Sequence, residues 1–130
     1  MADLTLINPP GTEAIYQNYK FSQAVVAGGR VEVAGQVGLG PDFSIPDDIE
    51  GQARNAFTNL RNVLEAAGSS LRHVLHLTQY FTDIRDARKV DKVFLEFFPD
   101  SYPARTVVQV ASLVLPTLKL EIQASAVVKD

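Results

Sequence analysis

The segment between residues 47 and 68 constrains the fold most, because its apolar residues lie on one side of a helix. Asp47 and Asp48 stand where a helix N-cap belongs, and Glu50 follows in the first turn. Apolar residues then recur at spacings typical of a single helical face. These residues are Ile49, Ala53, Ala56, Phe57, Leu60, Val63, Leu64 and Ala67. Gly68 is a suitable C-terminal stop, and the helix needs an apolar surface to pack on.

Segments of strand composition surround this helix. Residues 21–27 and 30–37 flank Gly28-Gly29, an arrangement typical of a β-hairpin. The remaining segments of this kind are residues 73–81, 105–113 and 118–128. Residues 1–18 predict an irregular arm with one short strand. Residues 38–46 predict a loop, because they contain two glycines and two prolines.

A second amphipathic helix is predicted over residues 84–98. Its apolar face consists of Ile84, Ala87, Val90, Phe94 and Phe97. The order β-β-α-β-α-β-β favours an α+β fold in a single domain of residues 1–130. The simplest arrangement is one mixed sheet with both helices packed on one face. The other face keeps Val and Leu residues, so we expect a homo-oligomer to cover it.

Composition excludes several classes of function. Twelve basic and fifteen acidic residues give a formal charge of −3, so we expect no binding to nucleic acid or to anionic membranes. The chain has no cysteine, which rules out disulfides, thiolate nucleophiles and cysteine-held metals. We find neither a long apolar run nor an N-terminal signal pattern, so a cytoplasmic protein that does not enter a membrane is expected.

Neither the histidines nor the glycine-rich segment points to a cofactor. His73 and His76 lie three positions apart on a predicted strand, so they would face opposite sides and could not share a metal ion. The glycines at 35, 38 and 40 lack the spacing of a dinucleotide fingerprint, and a loop follows them. We therefore expect no metal and no cofactor.

The last two predicted strands carry the residues that suggest chemistry. Arg105 shares a strand face with Val107, and Glu121 lies on the next strand. Both strands otherwise have the composition of buried strands, where an unpaired charge is costly. If the two strands are antiparallel neighbours, Arg105 and Glu121 line one polar pocket. That pocket would hold either a structural ion pair or a substrate carboxylate beside an oriented water.

A series of short motifs runs along nearly the whole chain. They are Phe21-Ser22-Gln23-Ala24, Val33-Ala34-Gly35-Gln36, the run from Asn59 to Gly68, Phe81-Thr82-Asp83, Glu96-Phe97-Phe98, Pro103-Ala104-Arg105-Thr106 and Leu120-Glu121-Ile122. Together they resemble the RidA family, also called YjgF or translation-inhibitor-like proteins. The resemblance implies a chorismate-mutase-like α+β fold that assembles as a homotrimer with clefts between subunits.

The resemblance also implies a reaction. RidA-type proteins hydrolyse reactive 2-imino or 2-enamino acids to 2-oxo acids and ammonia without a cofactor, and this limits metabolite damage to other enzymes. Arg105 matches the family arginine that holds the substrate carboxylate, and Glu121 is similar to the glutamate that positions the attacking water. Gly35 and Val107 complete the substrate-binding residues expected to accompany them.

Three positions depart from the family pattern. Phe21 replaces a tyrosine, Ala34 a serine and Asp91 an asparagine, whereas Tyr19 is a candidate to supply the lost hydroxyl. These differences leave two alternatives open. One is a deaminase similar to the family's 2-aminomuconate deaminases, which takes a longer and flatter enamine. The other is a non-catalytic trimer that binds small carboxylate metabolites. Nuclease activity ranks last, because the chain lacks a basic, aromatic groove.

Overall fold

The computed structural model describes residues 3–130, so the first two residues of the predicted arm lie outside the described part. The strands are β1 (Thr5–Ile7), β2 (Ala24–Ala27), β3 (Arg30–Val37), β4 (Val74–Phe81), β5 (Ala104–Gln109) and β6 (Leu120–Val127). The α-helices are α1 (Glu13–Tyr19), α2 (Ile49–Ala66) and α3 (Ala87–Phe97). Short 3-10 turns at Leu71–His73 and Ile84–Asp86 precede β4 and α3.

The strands form one mixed sheet in the order β1-β2-β3-β6-β4-β5. The pairing of β4 with β5 is parallel, and every other pairing is antiparallel. The expected α+β class is therefore confirmed. The last two strands are not neighbours, because β4 lies between β5 and β6, so the condition for a shared pocket of Arg105 and Glu121 is not met. The chain passes through α3 between β4 and β5, and such a helical crossover joins parallel strands.

The helix α2 follows its sequence pattern closely. All eight residues of the predicted apolar face are buried. Asp48 is the N-cap, and its side chain accepts a hydrogen bond of 2.9 Å from the Gly51 amide. Gly68 has φ +79°, the left-handed conformation that ends many helices. The Phe57 ring packs against the rings of Phe94 and Phe97, which joins α2 to α3 over the sheet.

The predicted hairpin is also confirmed. β2 pairs with β3 across Gly28 and Gly29, whose φ values of +56° and +79° fit a two-residue turn that only glycine adopts easily. A β-bulge interrupts the pairing of β3 with β6 between Val33 and Gln36. The bulge shifts the residues of β3 that follow it relative to their partners on β6.

Other boundaries differ from the sequence predictions. The helix α1 differs from the irregular arm expected over residues 1–18, since Pro9, Pro10 and Gly11 just before it are typical of a loop. None of the residues of α1 is buried, so it lacks the apolar face by which a sequence pattern reveals a helix. Its first turn is held locally by the Glu13 carboxylate, which accepts from the Gly11 amide. The strand predicted over residues 105–113 ends at Gln109 and forms the sheet edge. Most of its side chains are therefore exposed, contrary to the burial expected for them. Within residues 3–130, no helix is long and apolar enough to cross a membrane.

Candidate active site

The residues singled out from the sequence fall into two groups. Arg105, Asp91 and Val107 lie at the β5 edge of the sheet, beside α3. Tyr19, Phe21, Ala34, Gly35 and Glu121 line a cavity at the end of β3, which we call the Glu121 cavity. The structure therefore brings together the members of each group but does not bring Arg105 to Glu121.

Arg105 is held in a fixed orientation by a partner that sequence reasoning missed. Its Nε and Nη2 atoms both donate to Gln79 Oε1, at 3.0 and 2.7 Å. Its guanidinium carbon lies 3.8 Å from the centroid of the Phe94 ring, a cation–π contact. Among residues 3–130 the hydrogen bonds of this side chain use Nε and Nη2, so Nη1 keeps its donors for another group.

Asp91 forms an ion pair with this guanidinium. Its Oδ1 atom lies 3.1 Å from Arg105 Nη2, and its side chain is 56% exposed whereas that of Arg105 is 27% exposed. The carboxylate therefore competes for the same cation that a bound carboxylate would need. Val107 pairs in register with Gln79 and follows Arg105 by two positions, so both side chains lie on the same face of β5.

Glu121 is half-buried in the wall of the Glu121 cavity. Burial raises the pKa of the Glu121 carboxyl above its ordinary value, because desolvation disfavours the charged form. The carboxylate fits there because Gly35 has no side chain: a methyl group on Gly35 would lie 2.6 Å from Glu121 Cδ. The glycine of the expected motif therefore makes room for the acid, and the bulge in β3 sets its position.

The Glu121 cavity has a volume of about 790 Å³ and a mostly apolar lining. Tyr19 and Ile15 of α1 line it, as do Phe43 of the loop after β3 and Leu115 of the loop before β6. Asn55 and Asn59 of α2 donate their side-chain amides to backbone carbonyls of residues 37–39, which holds the first of these loops against the helix. Cavities of this size accommodate ligands much larger than an amino acid.

Arg105 and Glu121 lie on opposite faces of the sheet. Gln79, to which Arg105 is bonded, pairs in register with Ile122, and Ile122 is buried in the core. Side chains alternate along a strand, so Glu121 points away from the face that carries Ile122. One chain cannot place both side chains on one small substrate, contrary to the single pocket expected from the sequence.

The histidines take part in ordinary polar contacts. His73 lies in the 3-10 turn before β4, not on the strand as predicted, and its Nδ1 lies 2.6 Å from Ser70 Oγ. His76 Nε2 lies 2.9 Å from Thr106 Oγ1. Residues 3–130 contain no cluster of three or more histidine or acidic side chains placed to hold a metal ion.

Gln79 could have been found from the sequence. It stands between Leu77 and Phe81 on the buried face of β4, where an amide needs a partner. Gln23 and Gln36 belong to the motifs shared with the family, and both line the Glu121 cavity.

Comparison with known proteins identifies the family. The family model described as Endoribonuclease L-PSP matches residues 11–128. A solved Mycobacterium tuberculosis protein, described as a member of the YjgF/YER057c/UK114 family, superposes with a TM-score of 0.84 at 34% identity, over 97% of this chain and 100% of that one. The chain belongs to the RidA (YjgF) family.

Other RidA-family proteins match over most of their length. A RutC family protein of Pyrococcus horikoshii is 39% identical over 82% of this chain and 85% of its own. The 2-iminobutanoate/2-iminopropanoate deaminase of Bos taurus is 35% identical over 72% of this chain and 69% of its own. Escherichia coli TdcF, solved with bound serine, has a TM-score of 0.79 at 35% identity over 84% of this chain and 88% of that one.

Proposed function

We propose that this RidA-family chain hydrolyses 2-imino or 2-enamino acids to 2-oxo acids and ammonia without a cofactor. The observation that carries the proposal is the state of Arg105. Gln79 and Phe94 fix its guanidinium, while Nη1 keeps donors for a substrate carboxylate. The Bos taurus relative is named for this reaction on 2-iminobutanoate and 2-iminopropanoate, which supports the transfer to this chain.

The proposed reaction needs little beyond orientation, because an iminium carbon is already electrophilic. Arg105 holds the carboxylate of the substrate. Water adds to the imine carbon, the C=N electron pair moves to nitrogen, and the Glu121 carboxylate accepts a proton from the water. Glu121 then returns this proton to the amino nitrogen. The C–N bond breaks with its electron pair on the leaving ammonia, and Glu121 accepts the remaining hydroxyl proton as the C=O bond of the 2-oxo acid forms.

We further propose that each site forms between two subunits of a homotrimer. Arg105 and Glu121 lie on opposite faces of one chain, so a substrate that contacts both residues needs one from each of two copies. On the sheet face that carries Glu121, Gln123 is exposed and Ser125 and Tyr80 are only half-buried in a single chain, which leaves this part of the face available for such packing. An unpaired copy would then hold only half of each site.

A trapping assay tests the reaction. A separate amino-acid oxidase generates 2-iminopropanoate or 2-iminobutanoate, and semicarbazide traps the imine that survives. We expect the wild-type protein to remove the imine. Arg105→Ala should lower this rate by about a hundredfold or more, since the carboxylate loses its charge-assisted bonds.

The control for that assay is Arg54→Ala. Arg54 also pairs with a carboxylate, at 2.6 Å from Glu96, but on the outer surface of α2 and α3. This variant should keep wild-type activity. Equal activity of Arg105→Ala and the wild type would contradict the proposed role, provided that both variants unfold at the wild-type temperature.

The size of the Glu121 cavity favours a second candidate, a deaminase for a longer enamine of the 2-aminomuconate type. A four-carbon imino acid leaves most of a space of about 790 Å³ empty. The same trapping assay with imines of increasing length separates the two candidates, because equal rates across the series would exclude a specialised long substrate.

A further inference from the structure

Two buried glutamines meet in the wall of the Glu121 cavity. Gln23 precedes β2, Gln36 lies on β3, and the two residues are only 4% and 6% exposed. Gln36 Nε2 donates to Gln23 Oε1 at 3.0 Å and to the carbonyl of Ala34 at 3.1 Å. Buried amides are costly unless their remaining polar atoms also find partners.

The Ala34 carbonyl fixes the orientation of both amides. A carbonyl oxygen only accepts, so the Gln36 atom beside it must be the nitrogen, and the Gln23 atom that takes its second hydrogen must be the oxygen. Gln23 Nε2 and Gln36 Oε1 then remain without a hydrogen-bond partner among residues 3–130. Every fully shielded side-chain nitrogen or oxygen of that part has a partner, so these two atoms keep a little accessible surface, and both residues line the cavity.

We propose that the Gln23–Gln36 pair binds a primary carboxamide group inside the Glu121 cavity. The carbonyl oxygen of the ligand accepts from Gln23 Nε2, and its N–H donates to Gln36 Oε1. A carboxylate ligand has no hydrogen to donate to Gln36 Oε1, and a branched hydrocarbon can neither donate nor accept a hydrogen bond. Either ligand therefore leaves a polar atom of the buried glutamine pair without a partner.

Three fragments of similar size test the pair without any catalytic step: propanamide, propanoate and butanone. In ligand-observed NMR we expect propanamide to bind about tenfold more tightly than either of the others, because a site built to hydrogen-bond a group rejects analogues that lack it. Gln23→Met and Gln36→Met each remove one amide of the pair. Each variant should bind the three fragments with similar affinity. Gln17→Met, on the exposed side of α1, should leave the preference unchanged.

Several results would overturn this inference. They are equal binding or no binding of the three fragments by the wild-type protein, and a preference for propanamide that survives both methionine variants. Thermal unfolding checks that at least one of these variants folds, and two variants are made for that reason. The fragments lack the 2-oxo acid group, so failure of imine hydrolysis with an intact propanamide preference would contradict the proposed function alone.

Discussion

Glu121, the proton acceptor of the proposed reaction, carries a cost in stability. Burial raises the pKa of its carboxyl only in the folded state, so the folded protein binds this proton more tightly than the unfolded chain does. The contribution of the Glu121 carboxyl to the free energy of unfolding is therefore most favourable at low pH. It falls as pH rises through the range in which carboxyl groups ordinarily titrate. Glu121→Gln should raise the free energy of unfolding at pH 7 and lower imine hydrolysis by about a hundredfold or more.

Urea denaturation at two pH values checks the sign of this effect. At about pH 3.5 the wild-type carboxyl is largely protonated in both states, so the gain from Glu121→Gln should nearly vanish there. The control is Glu65→Gln on the exposed face of α2. A variant less stable than the wild type at pH 7 would show that the Glu121 carboxylate stabilises the fold, contrary to this argument.

A second prediction for a single residue concerns Asp91. In the proposed site its carboxylate would compete with a substrate carboxylate for Arg105, and the ion pair is too exposed to add much stability. Asp91→Asn keeps an oxygen near Nη2 but removes the charge. We expect KM for 2-imino acids to fall by about two- to fivefold with kcat and the unfolding temperature little changed.

The matched control for this change is Asp100→Asn. Asp100 pairs with Arg72 at 3.8 Å on an exposed surface away from Arg105, so its loss of charge should leave KM as it was. An unchanged KM in Asp91→Asn would mean that the ion pair does not oppose substrate binding.

At the scale of elements, the sequence predicted the features that depend on interactions between residues close together in the chain. The apolar face of α2, the Gly28-Gly29 hairpin and the class of the fold all depend on periodicity and turn chemistry, which are readable from the sequence. The position of β5 depends on how α3 crosses the sheet. That crossover places β5 parallel to β4 at an edge and leaves β6 between β3 and β4. Composition alone does not fix this order.

The sequence motifs named candidate site residues but did not predict how the fold arranges them. The motifs named Arg105, Gly35 and Glu121, and the structure gives Gly35 a physical reason, since any side chain there would meet the Glu121 carboxyl. The separation of Arg105 from Glu121 follows from strand order, which the sequence pattern left open. The contact between Arg105 and Gln79 joins residues 26 positions apart, so no local spacing reveals it.

For the whole molecule, the separation of Arg105 from Glu121 predicts a result that a single-chain site cannot give. Arg105→Ala and Glu121→Gln should each be inactive alone. In mixed oligomers, a site between an Arg105→Ala subunit and a Glu121→Gln subunit receives Glu121 from the first and Arg105 from the second. Each trimer that contains both variants has one of its three sites in the productive pairing, so mixed trimers should recover about a third of the wild-type activity.

Co-expression of the two variants under different affinity tags, with purification over both tags, provides the mixed oligomers for this measurement. Mixing the two purified variants without exchange of subunits is the control, and it should stay inactive. Light scattering gives the number of subunits, for which we expect three. If both residues of a site came from one chain, each subunit would carry one defect and no mixture would be active. Absence of any activity in verified mixed oligomers would therefore contradict the shared site, whereas partial recovery would require that two copies supply Arg105 and Glu121 to the same substrate.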